Sequence, residues 1–369
     1  MTAGSASVAA ADGAGRVGGG GGSGDRGRTF GRMIMMSVAP IVAALVIAGA
    51  ILLALGVDPL AYYGYVLERG LLTGLGLQQT LTRMAPLLLL AASLIVAFRA
   101  GIWNLGMDGQ FLLAAVAAGA LAPALITVLP TWATLLVSFA AAAVVGALWS
   151  LVPALLRAYQ GVNEIITSLM MTFLGVSLAN VLVKLLFLDP GTTVPQTRTL
   201  PVADRLPRLF DTTVSSGLLI GLVAVVAVHL MMTRTAFGLK LRVVGANPRA
   251  AVHAGLPVAK LTVAVFAISA ALAGLGGAVE ILGVHGNVRA DWNPAYGLAV
   301  VPLVFLARLN GFASIAYVFL FSVLSIGGES AARRLGVPHF FTLVLMSIIL
   351  ILLAVVEYAD HRRRAGGKG

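Results

Sequence analysis

The chain has 369 residues, of which 59% are hydrophobic and 11% charged, with a formal net charge of +11 and a mean hydropathy of +0.98. Soluble domains carry about 25% charged residues, so this much apolar surface calls for a bilayer rather than an aqueous shell. The chain lacks cysteine, its five histidines are scattered, and its Lys and Arg residues lie in short segments between apolar runs; thiolate metal sites, disulfides and a nucleic-acid face are excluded.

Residues 1–32 are rich in Gly, Ala and Ser, with Arg16, Arg26, Arg28 and Arg32. Such a stretch buries too little apolar surface to offset its ordering entropy, and it reads as a disordered cytoplasmic tail. With no apolar stretch before residue 33, the first apolar run reads as a retained helix rather than a signal peptide. A transmembrane domain follows over 33–358, and 359–369 is a basic cytoplasmic tail holding Arg362, Arg363, Arg364 and Lys368. At roughly 20 residues per span, about ten spans are predicted. They lie near 34–56, 77–98, 109–129, 132–153, 163–188, 216–232, 261–283, 295–309, 312–328 and 339–358, the eighth and ninth short and interrupted by Gly or Pro. The fold class is therefore an all-α polytopic membrane protein.

Lys and Arg are biased about two to one toward one side, which places both termini, the turns at Arg99, Arg157 and Arg308, and a basic loop at 233–260 in the cytoplasm. The opposite side carries a long loop at 189–215 with Pro190, Pro195, Pro201 and Pro207. Loops of that length usually have a function.

Several segments carry candidate functional groups. WNLGMDGQ (103–110) joins two spans. Its glycines and Asn104 suit an irregular backbone, and Asp108 either favours a positive helix end or, with Asn104 and Gln110, shapes the cytoplasmic end of a pathway. In GVNEIITSLM (161–170), Asn163 suits a helix cap with Glu164 in the first turn; Asn163, Glu164 and Thr167 are also pathway or gating candidates. SAALAGLGGAVE (269–280) sets small residues four apart, as close helix packing requires. Glu280 ends that run and is read either as lining a pathway or as lying at the outer interface, and Arg83 either pairs with an acidic group or reaches the interface. In the basic loop, Asn247-Pro248 starts a short helix that Gly255 and Pro257 end. That helix is predicted to dock on a partner through Ala250, Ala251 and Ala254, flanked by Arg242 and Arg249.

WNLGMDGQ, GVNEIITSLM, TAFGLKLRVVGANPRAAVHAGLPVAK and SAALAGLGGAVE, in that order, resemble the permease subunits of ABC importers. The branch is that serving simple sugars, nucleosides and branched-chain amino acids, and the first two segments look most like nucleoside or simple-sugar permeases. The family commonly has Phe and Glu where this chain has Trp103 and Asp108. The resemblance covers about residues 35–358 and implies a type II-like permease fold. It also implies that the loop's G-x-N-P-x-A-A pattern couples to a cytoplasmic ATPase through Gly245, Asn247, Pro248, Ala250, Ala251 and Gly255. It further implies a second permease subunit, often non-identical, and a substrate-binding lipoprotein. No phosphate loop, cofactor site or metal site is expected in this chain, so it is not itself the ATPase. The alternative is an ion-coupled secondary transporter of a small polar solute, a class that places charged groups at midplane.

Overall fold

The computed structural model describes Ala39, residues 41–210 and 212–338, and parts of 341–356. The calls on residues 1–32 and 359–369, with their basic residues, lie outside the described residues. Thirteen helices cover 41–338: α1 (Ile41–Ala54), α2 (Pro59–Leu67), α3 (Gly74–Arg99), α4 (Met107–Leu125), α5 (Thr131–Trp149), α6 (Leu151–Gln160), α7 (Glu164–Val181), α8 (Gly217–Arg234), α9 (Ala236–Ala246), α10 (Pro248–His253), α11 (Val258–Glu280), α12 (Tyr296–Leu306) and α13 (Gly311–Leu335). Single π-helical turns extend α2 (Glu68–Leu72), α7 (Leu182–Leu186) and α11 (Ile281–His285).

Seven described helices are long and apolar enough to cross a bilayer, counting α5 and α6 together as Thr131–Gln160. The other apolar helices, α1 and α12, are shorter. The ten predicted spans correspond to these nine and to the helical residues among 341–356, while three details differ. The span placed at 132–153 runs on to residue 160. The span ended at 328 continues to Leu335 and so takes in Glu329. Between the first two spans α2 and its π turn form an additional helix, started by Asp58, whose side chain accepts from Leu60 N, with Pro59 at its first position.

The core is α3. Its residues 84–97 are all buried, because an apolar run without a polar stripe has no face to give to water; it packs against α8, α11, α12 and α13. Around it, α4, α5 and α11 meet along small residues. A Cβ at Gly146 would strike the Ala270 carbonyl, one at Gly274 the Ala142 carbonyl, and one at Gly277 the Phe111 carbonyl. The helices therefore touch backbone to backbone, the packing that small residues four apart allow in lipid.

The two ends of the bundle are distinct. At the basic end, Gly101 packs on Gly245, the Arg99 guanidinium donates to the Leu309 carbonyl at 3.0 and 3.2 Å, and Gly311 N meets His229 Nδ1 at 3.3 Å. At the proline-rich end, the 189–215 loop folds over the π turn of α11. Leu206 N donates to Leu282 O, Leu200 N to Gly286 O, and Thr197 N to Val288 O, at 2.8–2.9 Å. The Arg205 guanidinium completes this seam through the carbonyls of Leu200 and Val284. It packs over Gly286, whose φ of +75° and lack of a side chain leave it room.

Candidate functional site

Residues 102–106 have no regular secondary structure and run back into the bundle, with Ile102, Asn104 and Gly106 buried. Leu105 runs beside the first turns of α7, where its N–H donates to Ser168 Oγ at 3.1 Å and its carbonyl accepts from Thr172 Oγ1 at 2.8 Å. This carries Asn104 to the level of Ser93, which lies about 9 Å along α3 from Arg99 at 1.5 Å per residue. There Asn104 and Gln110 exchange two amide hydrogen bonds at 3.1 Å, Asn104 donates to Ser269 Oγ at 3.0 Å, and Ser269 meets Ser93 at 2.9 Å. All four side chains are buried. The network joins α3, α4 and α11, and its amides are well satisfied, as buried polar groups require.

Asp108 follows in the first turn of α4, but its partner is a different helix. Its Oδ1 accepts from Gly297 N at 2.6 Å. The α12 cap residue, Ala295, has no side-chain cap bond, so a carboxylate from α4 supplies it, with favourable charge at the helix start. Gly297 has no side chain because a Cβ there would enter the Asp108 carboxylate. α12 has 11 residues, about 16 Å of rise against a hydrocarbon core of about 30 Å, and its first turn, with Tyr296 and Gly297 buried, rests on the buried Asp108 inside the bundle. Asn104, Asp108 and Gln110 are consequently interior residues rather than a turn at the membrane surface.

Asn163 caps α7 by accepting from Ile165 N at 2.9 Å, and Thr167 bonds back to the Asn163 carbonyl at 3.1 Å. Glu164 is buried and pairs with Arg157 at 3.3 Å. These residues close the corner between α6 and α7.

A cavity of 570 Å³ lies at the proline-rich end between α3, α11, α12, α13 and the long loop. Glu280, 5% exposed, is in its wall. Its Oε1 lies 3.3 Å from His285 Nε2 and 3.4 Å from the Tyr296 hydroxyl, while its Oε2 is buried with no hydrogen-bond partner. Arg83 pairs with Glu329 at 3.2 Å and places its guanidinium 5.5 Å from the centre of the Tyr296 ring. So Arg83 has the acidic partner that sequence reasoning allowed, and Glu280 lines a cavity. Glu329, His285, Trp292 and Tyr296 were missed. Glu329 was assigned to the segment beyond a span, although a lone carboxylate after an apolar run was the available signal.

At the basic end, Asn247 accepts from Arg249 N and Ala250 N at 3.1 Å, and Pro248 opens α10. Gly255, at φ +76°, ends it. The predicted docking face needs correction. Ala251 is fully buried in this chain's own core and anchors α10 to the bundle. The outward residues are Arg249, Ala250, Val252, His253 and Ala254, with Val252 59% exposed. Gly245 packs on the carbonyl of Arg99, and Arg242 is exposed beside it. Among the described residues no cluster of His, Asp and Glu could hold a metal ion.

An all-helical bundle with several membrane-crossing helices, a polar cavity at one end and a capped loop helix at the other defines a multi-pass membrane transport subunit. Residues 76–354 match the family of permease components of branched-chain amino acid transport systems. The glucose ABC transporter permease protein TsgB13 of Haloferax volcanii is 35% identical over 342 residues, with 88% of each chain covered. The nucleoside ABC transporter permease protein NupB of Lactococcus lactis is 28% identical over 340 residues, covering 88% of this chain and 91% of the relative. The guanosine ABC transporter permease protein NupP of Bacillus subtilis is 27% identical over 282 residues, covering 75% and 80%. The chain belongs to this permease family of ABC importers, which sets aside the ion-coupled alternative.

Proposed function

We propose that this chain is the translocating subunit of an importer for a neutral sugar or nucleoside, driven by ATP hydrolysed on a separate cytoplasmic ATPase. The observation that carries the coupling role is α10, a six-residue helix capped at both ends that presents Val252 and Ala250 away from its own bundle. A helix so short is marginal alone in water, so it is held from one side by Ala251 and from the other by a partner. The basic end is cytoplasmic in this reading, and a binding lipoprotein delivers solute to the proline-rich end, with a second permease subunit completing the pathway. The relatives' glucose and nucleoside permease names favour these solute classes.

Replacing Val252 with Glu puts a charge on the docking face without entering the core. Uptake is expected to fail and the ATPase to be lost on purification, while the permease inserts at its normal level. Normal uptake by Val252→Glu with the ATPase retained would overturn the coupling role. The orientation has its own test, since the sequence contains no cysteine. A cysteine at Thr199 is expected to react with an impermeant thiol reagent in intact cells and one at Arg249 to resist; the reverse pattern would invert the assignment.

A further inference from the structure

Glu280 is the described carboxylate whose burial is least accounted for. A charged group within a membrane domain costs several kcal/mol unless it is paired or wet. One oxygen of Glu280 meets His285 and Tyr296, and the other meets nothing. A residue kept only to neutralise Arg83 would not explain this, because Arg83 already pairs with Glu329 and bonds weakly to Ser325. The same wall carries Trp292, half-buried, 5.5 Å from His285 and 6.1 Å from Phe111 between ring centres. Trp292 sits on a short segment between two residues with left-handed backbone, Asp291 at φ 62° and Ala295 at φ 51°. Asp291 is held by Asn180, which accepts from its N–H at 2.6 Å, and by Lys184 at 2.9 Å. Left-handed non-glycine residues persist where surroundings over-determine them, and they cluster at ligand sites.

The cavity also has a definite chemical character. Its 570 Å³ lies within the range of about 300–1,000 Å³ typical of small-molecule sites. Its wall carries four arginines, Arg83, Arg205, Arg208 and Arg333, against Glu280 and Glu329; Arg83 pairs with Glu329, Arg205 is engaged by two main-chain carbonyls, and Arg208 and Arg333 are exposed. A carboxylate in the cavity wall beside an aromatic side chain suits a ring that carries hydroxyl donors on its edge and C–H bonds on its face, as a sugar or nucleoside does.

We propose that Glu280, His285 and Trp292 form a solute-binding station within the permease itself, in which Glu280 accepts from hydroxyls of a neutral polyhydroxylated ring and Trp292 packs on its face. This rests on the sugar or nucleoside reading above and assigns its recognition to named residues. The station is occupied after the binding protein releases its cargo, so its affinity is separable from that of the binding protein.

The experiment uses the purified permease with its ATPase and second permease, without binding protein, in a background where Trp103, Trp132 and Trp149 and every tryptophan of the other subunits are Phe, so that Trp292 is the sole tryptophan of the assembly. D-Glucose, D-ribose and uridine are titrated while Trp292 fluorescence is followed, and ATP-driven uptake of each is measured on the same assembly with binding protein. A saturable fluorescence change with at least one probe is expected. Glu280→Gln is expected to raise its half-saturation about tenfold, the loss of one hydrogen bond to a charged acceptor, and Glu280→Ala to abolish it. Monodisperse elution of both variants shows that the assembly is intact. Uptake of a sugar or nucleoside with no fluorescence change, or a change that neither Glu280 substitution weakens, would overturn the station while leaving the transport reading in place. Absence of uptake for all three would instead remove the transport reading, and the titration would still decide the site.

Discussion

The bundle contains two buried polar clusters that differ in one respect. Around Asn104, the amides are paired with each other and with Ser269, and no cavity adjoins them among the described pockets. Around Glu280, one carboxylate oxygen is buried without a partner, and Glu280, His285 and Tyr296 line 570 Å³ of space. Both occupy a setting in which an unpaired polar group is costly, so the difference separates a joint from a receptor: a saturated network holds helices together, and an unsaturated one bordering a cavity has capacity left for a ligand.

The largest effect is expected from breaking the joint. Asn104→Leu leaves the Gln110 amide without its partner and takes from Ser269 one of its two hydrogen bonds, and should cost at least about 2 kcal/mol. Membrane abundance and uptake should then fall together, and thermal unfolding in detergent should begin earlier. A normal melting curve would mean the network is not structural. Asp108→Asn keeps an oxygen for Gly297 N and removes the negative charge from the start of α12, a change of about 1 kcal/mol; uptake should drop more than abundance, as measured by immunoblot against initial rate. Glu280→Leu should act in the opposite direction on stability. Removing a carboxylate with an unmet acceptor should raise the melting temperature, by the equivalent of about 1 kcal/mol, while uptake falls, the trade expected where a site holds strain for function. A lowered melting temperature would place Glu280 with the joint. The smallest effect belongs to Thr167→Ala. Its hydroxyl only bonds back to Asn163 and Glu164 carbonyls, and the change should stay within about 0.5 kcal/mol in both readouts.

The spans and the loop helix were legible in the sequence because their signals are local. An apolar run of sufficient length is a span wherever it occurs, and Asn247-Pro248 with Gly255 sets both ends of α10 without reference to the rest of the chain. The side on which α10 docks was not legible. Six residues give too little pattern to show which face meets the bundle, and Ala251 looks the same as Ala250 and Ala254 until the core is seen. Nor could residue types alone reveal that Asp108 caps a helix 189 residues away, or that Glu280, Tyr296 and His285 converge. Those pairings depend on α12 beginning inside the bundle, and Ala295 gives no capping signal of its own. α2 escaped notice because its 59–72 stretch mixes Tyr, Gly, Glu and Arg with its apolar residues and falls short of a span.

The seam between α5 and α11 has a mechanical consequence. Where Gly146 and Gly274 bring each main chain against a carbonyl of the other, there are no side chains between the helices to change rotamer. Relative sliding would have to deform two hydrogen-bonded backbones, which makes the pair one stiff spar. α3 and α13, by contrast, meet partly through the long arm of Arg83 reaching Glu329, a link that can swing or let go without bending either helix. A movement that keeps the α5–α11 spar in one piece and releases the Arg83–Glu329 link breaks one ion pair and bends no helix.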